Sequence, residues 1–123
     1  MIGGMRILVL EGEPLIAMDL EDLLVARGFK VIGPFSNATG ALDSLDRTKP
    51  QAALLDVYLN EASFDLGREL KRREIPFAFT TGMTAPDLLP PDLAGSLVIH
   101  KVWNVKELLT FLAGRAAAGS TRE

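Results

Sequence analysis

Short, mostly apolar runs alternate with longer amphipathic stretches along the chain. The apolar runs occupy residues 7–10, 31–32, 52–55, 77–81 and 97–99, and most of them end at an acidic residue or a glycine. Runs of this length that are apolar throughout are typical of strands that are covered on both faces, as in a parallel sheet. The alternation of such strands with helical stretches predicts an α/β protein, with an open, doubly wound parallel sheet and right-handed crossovers.

Two helices are predicted in the first half of the chain. The first spans residues 14–27, where Pro14 suits the first helical turn and Gly28 suits the position just after the helix. The second begins after Asn37, which can cap its N-terminus, and ends before Pro50.

The second half predicts two further helices and one irregular connection. Residues 65–74 and 105–118 show helical spacing of apolar residues, whereas residues 83–96 are rich in proline and glycine and predict a short or irregular helix. Residues 119–123 look like a frayed tail. We therefore predict a single domain over residues 1–123, with its folded core at about residues 5–118.

Composition excludes several classes of function. The 123 residues contain no cysteine, which rules out disulfides, thiolate metal sites and a cysteine nucleophile. Thirteen basic and sixteen acidic residues give a net charge of −3, whereas nucleic-acid binders usually carry an excess of basic residues. The basic run at residues 71–73 predicts a solvated helix face. No apolar run approaches the roughly 20 residues that span a bilayer. We expect a soluble, cytoplasmic domain that binds neither nucleic acid nor membrane.

Polar residues follow the predicted strands. Glu11 follows the first strand, Asp56 the third and Lys101 the fifth, while Thr81 closes the fourth. The carboxyl ends of parallel strands share one edge of the sheet, so these side chains should converge there. A carboxylate at such an edge can act as a nucleophile toward a phosphoryl group. An ammonium group and a divalent cation could neutralise the transferring group, and a hydroxyl could donate to it.

These residues resemble a known family. The segments at residues 7–17 and 54–57, the pair Thr81-Gly82 and Lys101 are similar, in order and spacing, to the receiver domain of two-component response regulators. The resemblance covers nearly the whole chain. It implies a flavodoxin-like, five-stranded sheet of order 2-1-3-4-5 with helices on both faces.

The resemblance also implies roles for particular residues. Asp56 corresponds to the phosphoacceptor, Thr81 to the switch hydroxyl and Lys101 to the lysine that contacts the phosphoryl group. The family's Mg²⁺ would be held by Glu11, by Asp56 and by the backbone carbonyl of Tyr58.

Three positions depart from the family pattern. Gly12 stands where a second acidic residue usually binds Mg²⁺, so we expect weak Mg²⁺ binding, and Glu13 is a poor substitute. Val102 replaces the proline that usually follows the lysine, which favours a trans peptide and a different loop. Val98 replaces the aromatic switch residue found in many members, so any activation relay must differ.

Each candidate also has a purely structural interpretation. Asp56 could simply end a strand, Lys101 could be a solvated lysine, and Thr81 suits ordinary strand-to-turn chemistry. Glu11 could be an acid that favours the helix dipole, an interpretation almost as good as metal binding. His100 is expected on the strand surface. Because it is the only histidine, a catalytic histidine pair is excluded.

The leading hypothesis is a stand-alone receiver that is not an enzyme in the ordinary sense. It would accept a phosphoryl group on Asp56 from a sensor histidine kinase or a phosphotransfer protein. It would then signal to a downstream protein, or form a homodimer, through the fifth strand and the last helix. The alternative is a pseudo-receiver that acts as a phosphorylation-independent interaction module because Gly12 impairs the Mg²⁺ site. A phosphatase is a weaker third hypothesis, because Tyr58 lies where a general acid is needed.

Overall fold

Five parallel strands form one sheet in a computed structural model that describes residues 4–57, 60–82, 89–101 and 105–121. The strand order is β2-β1-β3-β4-β5, which confirms the predicted flavodoxin-like sheet. The strands are β1 (Arg6–Leu10), β2 (Lys30–Phe35), β3 (Ala52–Asp56), β4 (Phe77–Thr81) and β5 (Leu97–His100).

Helices cover both faces of this sheet. The described residues form α1 (Pro14–Ala26), α2 (Ala38–Thr48), α3 (Asn60–Arg72), α4 (Val105–Thr121) and a 3-10 helix at Pro91–Leu93. One apolar cluster joins α1 and α4 to the sheet, and a second joins α2, α3 and the 3-10 helix to the opposite face. The predicted two-sided arrangement is therefore confirmed.

The middle strand β3 lies between β1 and β4 and is buried along its whole length. Its apolar residues alternate between the two clusters, so that Leu54 packs on one face and Leu55 on the other. Burial of each such leucine contributes roughly 1.5–3 kcal/mol to the free energy of unfolding. Asp56 thus ends the best-packed strand of the sheet.

Helix α1 has the predicted termini but presents an apolar face to solvent. Pro14 occupies the first turn, and Gly28 takes a left-handed φ of 91° directly after the C-cap. Ala17 is buried, whereas the side chains of Leu15 and Met18 are 76% and 60% exposed. Because α1 packs through its other face, these two residues do not belong to the core, although the sequence pattern includes them in the apolar set.

Strand β2 is longer than predicted. The sequence pattern stops it at Gly33-Pro34, but the strand continues to Phe35. Gly33 adopts a φ of 103°, where a side chain would collide with Phe35, and the pairing with β1 shifts register at the same point. Since β2 is an edge strand, Pro34 can lack an N–H donor without breaking the sheet.

Helix α3 begins at Asn60 and ends at Arg72, whereas the sequence predicts residues 65–74. Its buried face includes Ser63 and Gly67, which do not register as apolar positions in the pattern. A side chain at Gly67 would lie 3.1 Å from the Phe79 ring, so the glycine lets α3 pack closely on β4.

The last helix also exceeds its prediction. Helix α4 runs to Thr121, three residues beyond its predicted end at residue 118. Leu108, Phe111 and Leu112 are buried against the sheet, and Leu109 is partly buried beside them. Strand β5 includes His100, one residue more than predicted, and His100 is exposed as expected. Among the described residues, no helix combines the length and the apolar character that crossing a membrane requires.

Candidate functional site

Three charged side chains from distant parts of the chain meet at the carboxyl edge of the sheet. Asp56 is the last residue of β3, Glu11 follows β1 and Lys101 follows β5. Glu11 and Asp56 are each 2% exposed, and the Lys101 side chain is 11% exposed. The convergence expected from the strand ends is therefore present, and all three groups are largely removed from solvent.

The Lys101 ammonium group bridges the two carboxylates. Its Nζ lies 2.9 Å from Asp56 Oδ1 and 3.0 Å from Glu11 Oε1. Nζ also donates a hydrogen bond of 3.0 Å to Glu11 Oε2. The backbone N–H of Lys101 donates to the carbonyl of Thr81 at 2.7 Å, which holds the lysine against the end of β4.

Backbone N–H groups hold the carboxylates from the other side. The N–H of Gly12 donates to Asp56 Oδ2 at 3.1 Å, and the N–H of Glu13 donates to Glu11 Oε2 at 2.9 Å. The N–H of Glu11 in turn donates to the carbonyl of Phe35, in the part of β2 that the sequence pattern leaves out. Sequence reasoning missed these donors, because every residue except proline carries the same N–H group.

The electrostatic environment of Glu11 is unusual for a carboxyl group. Burial raises its pKa, and the negative charge of Asp56 also raises it, while the Glu13 N–H and Lys101 act to lower it. Two carboxylates beside one ammonium group leave the cluster with one net negative charge when both acids are ionised. The cluster therefore holds a buried acid that one nearby cation only partly compensates.

The groups that the described residues bring to this edge do not fit a resident Mg²⁺ ion. Within the ranges that the structure describes, no three acidic or histidine side chains are grouped as metal ligands. Lys101 contacts both of these carboxylates, and Asp56 Oδ2 accepts a hydrogen bond from the Gly12 N–H. Only Glu11 Oε1 accepts no hydrogen bond from the described residues, and it lies 3.0 Å from the ammonium group. Mg²⁺ prefers several oxygen ligands in octahedral geometry.

The other residues with predicted roles are not among the three charged side chains of this cluster. Thr81 is buried at the end of β4, one residue beyond Thr80, which pairs with Asp56. Val98 is partly buried against the second apolar cluster. Tyr58 and Val102 lie outside the described residues, so the carbonyl ligand and the trans peptide stay predictions.

The basic run at residues 71–73 is engaged in ion pairs and hydrogen bonds. Arg72 and Arg73 both contact Glu69, and Lys71 donates to the backbone carbonyl of Asp92. Asp92 also receives two hydrogen bonds from Arg68, which tie the 3-10 helix to α3. Carboxylates close to the run offset its positive charge.

Comparisons with known proteins agree with the fold and the sequence pattern. SdrG from Pseudomonas melonis Fr1, solved in a BeF3-activated conformation, is 34% identical, with a TM-score of 0.75 over 91% of this chain and 98% of that chain. A CheY-like receiver domain protein from Methanospirillum hungatei JF-1 has a TM-score of 0.80 at 19% identity, over 98% of this chain and 100% of that chain. The second likeness concerns the fold alone.

A curated relative extends the comparison. The phyllosphere-induced regulator PhyR of Methylorubrum extorquens AM1 is 40% identical over 80 residues, which is 62% of this chain and 30% of PhyR. The chain spans about a third to a half of the length of the curated relatives it matches. No protein-family model matches the chain. The identity to SdrG over nearly the full length of both chains, together with the sheet order, is decisive: the chain belongs to the family of response regulator receiver domains.

Proposed function

We propose that this receiver domain accepts a phosphoryl group on Asp56 from a partner histidine kinase or phosphotransfer protein. The observation that supports the proposal is the contact of 2.9 Å between Asp56 Oδ1 and Lys101 Nζ at the carboxyl edge of the sheet. The ammonium group contacts one carboxylate oxygen, and in the proposed reaction it would contact a phosphoryl group attached to that carboxylate.

The transfer is a displacement at phosphorus. An Asp56 carboxylate oxygen forms a bond to phosphorus while the bond from phosphorus to the donor imidazole nitrogen breaks. The nitrogen keeps the electron pair and takes a proton from solvent, and Asp56 becomes an acyl phosphate. In such reactions catalysis is mainly positioning and electrostatic stabilisation, which Lys101 supplies here.

Phosphorylation would act on the loops after β4 and β5. Once Lys101 turns toward the phosphoryl group, its contacts with Glu11 weaken. The hydrogen bond between the Lys101 N–H and the Thr81 carbonyl links that change to the end of β4, where the Thr81 hydroxyl is expected to respond. Charge added at one site would thus shift the population of a two-state surface.

The surface that passes on the signal is proposed to include β5 and α4. An open depression of about 330 Å³ lies there, lined by Leu97, Lys106, Glu107, Thr110 and Phe111. Leu97 is 42% exposed at this edge of the sheet. A downstream protein or a second copy of the chain could dock here.

The missing carboxylate at position 12 favours a second candidate, a pseudo-receiver that is never phosphorylated. Incubation with acetyl phosphate, followed by intact-mass measurement, separates the two candidates. We expect one phosphoryl adduct on the wild-type protein and none on Asp56→Asn, which keeps the size of the side chain but removes the nucleophile. The absence of an adduct from the wild-type protein, with and without Mg²⁺, would favour the pseudo-receiver.

A further inference from the structure

Lys101 and Gly12, both among the described residues, contact the oxygens of the Asp56 carboxylate. Lys101 Nζ lies 2.9 Å from Oδ1, and the Gly12 N–H donates to Oδ2 at 3.1 Å. Both contacts hold the carboxylate in one orientation. The Gly12 amide brings the positive end of a dipole to Oδ2, and glycine at this position supplies no carboxylate.

The charges disfavour recruitment of a dication. Glu11 and Asp56 contribute two negative charges, and Lys101 neutralises one of them from a distance of 3.0 Å or less. An acidic residue at position 12 would double the remaining negative charge and add an oxygen ligand. Without it, a cation that loses its hydration shell reluctantly gains little from entering the site.

The transition state needs positive charge near the phosphoryl oxygens, and the source of that charge can vary. The Lys101 ammonium group is covalently attached, largely buried and already in contact with the acceptor carboxylate. Fixed donors in a partly dry site stabilise developing charge without reorganisation at the moment of reaction. The Gly12 N–H, also fixed, keeps Oδ1 facing the ammonium group.

We infer that phosphoryl transfer to Asp56 does not require Mg²⁺, because the Lys101 ammonium group and the Gly12 main-chain N–H take over its charge-neutralising and positioning roles. The inference rests on the proposed function, since it concerns the same transfer. With acetyl phosphate as donor, the bond from phosphorus to the acetate oxygen breaks, acetate leaves with the electron pair, and the new bond joins phosphorus to Asp56. No other reactant is needed.

The test compares the rate of adduct formation from acetyl phosphate in EDTA and in excess Mg²⁺, measured by intact mass. For the wild-type protein we expect rates that agree within about threefold. For Gly12→Asp we expect Mg²⁺ to accelerate the reaction by at least about tenfold, because the variant regains an oxygen ligand. Gly12→Ala is the reference for Gly12→Asp: it adds a side chain without a carboxylate, so Mg²⁺ should not accelerate its reaction, whatever its rate in EDTA. Gly12 has no left-handed φ, and alanine keeps the N–H group without adding a carboxylate.

Calorimetric titration with Mg²⁺ alone gives an independent readout. We expect weak binding to the wild-type protein and to Gly12→Ala, and clearly tighter binding to Gly12→Asp. A wild-type rate that falls more than about tenfold in EDTA would overturn the inference and leave the proposed function intact. An adduct in neither condition, or one that survives in Asp56→Asn, would overturn both. The comparison of EDTA with Mg²⁺ on the wild-type protein decides the inference even if Gly12→Asp does not fold.

Discussion

Replacement of Lys101 by methionine removes a buried cation and keeps a side chain of similar length. In the native structure the ammonium group lies within 3.0 Å of oxygens on both Glu11 and Asp56, each of which is 2% exposed. Loss of one partner of a buried ion pair typically costs 3–5 kcal/mol, because the remaining charge is left uncompensated. Since the lysine side chain is 11% exposed and water can partly replace it, we expect the free energy of unfolding to fall by about 3 kcal/mol near pH 7.

The loss should depend on pH in a defined direction. Burial already raises the pKa of Glu11 above its ordinary value of 4.5, and removal of Lys101 takes away an interaction that lowers it. A carboxyl group with a raised pKa binds a proton more tightly in the folded than in the unfolded protein. Its contribution is therefore fully present below the ordinary value and is lost as the pH rises through the raised pKa. The deficit of Lys101→Met should be small near pH 4 and large near pH 7.

Urea unfolding followed by circular dichroism at both pH values measures this effect. Addition of Glu11→Gln to the Lys101→Met variant removes one of the unpaired charges and should recover more than half of the lost stability. A loss below about 1 kcal/mol near pH 7 would show that solvent screens the cluster. An equal loss at both pH values would show that charge is not the cause.

Three further predictions concern other parts of the molecule. Leu15 and Met18 are exposed on α1, which begins three residues after Glu11, and we expect a phosphorylated protein donor to dock on them. Met18→Glu should therefore slow transfer from such a donor by about tenfold and leave transfer from acetyl phosphate unchanged. Equal slowing with both donors would contradict this docking role. Arg68→Ala removes the two hydrogen bonds to Asp92. Hydrogen exchange at the Leu93 amide should accelerate measurably but by less than about tenfold, because exposed ion pairs stabilise little. An unchanged rate would show that the 3-10 helix does not depend on this pair. Ser63→Ala removes a buried hydroxyl that has no hydrogen-bond partner among the described residues. The free energy of unfolding should therefore rise by about 1 kcal/mol. A decrease would reveal an unrecognised partner of the hydroxyl.

The fold was predictable because apolar runs and the rules for parallel sheets are strong signals. The same rules place strand ends together, so the proximity of Glu11, Asp56 and Lys101 followed from their positions after β1, β3 and β5. The errors in the predicted bounds of the elements have local causes. Ser63 lies on the buried face of α3 without being an apolar signal, and the pattern therefore misses the first turn of that helix.

Other features of the site could not be predicted from residue types. The hydrogen bond from Gly12 to Asp56 joins a backbone group to a side chain 44 positions away, and the sequence at position 12 shows only a missing carboxylate. The pair between Arg68 and Asp92 joins exposed residues 24 positions apart, so local spacing gives no sign of it. Both depend on how parts of the chain that are distant in sequence pack together in the fold.

The burial of β3 also bears on how long an acyl phosphate on Asp56 would last. A strand that is hydrogen-bonded on both sides and buried on both faces exchanges its amide hydrogens only when the whole domain opens. Asp56, at the end of this strand, would therefore keep its position for as long as the domain stays folded. The lifetime of the phosphorylated state, and with it the duration of the signal, would be governed by how often water reaches the phosphorus atom beside Lys101, and not by how often the domain opens.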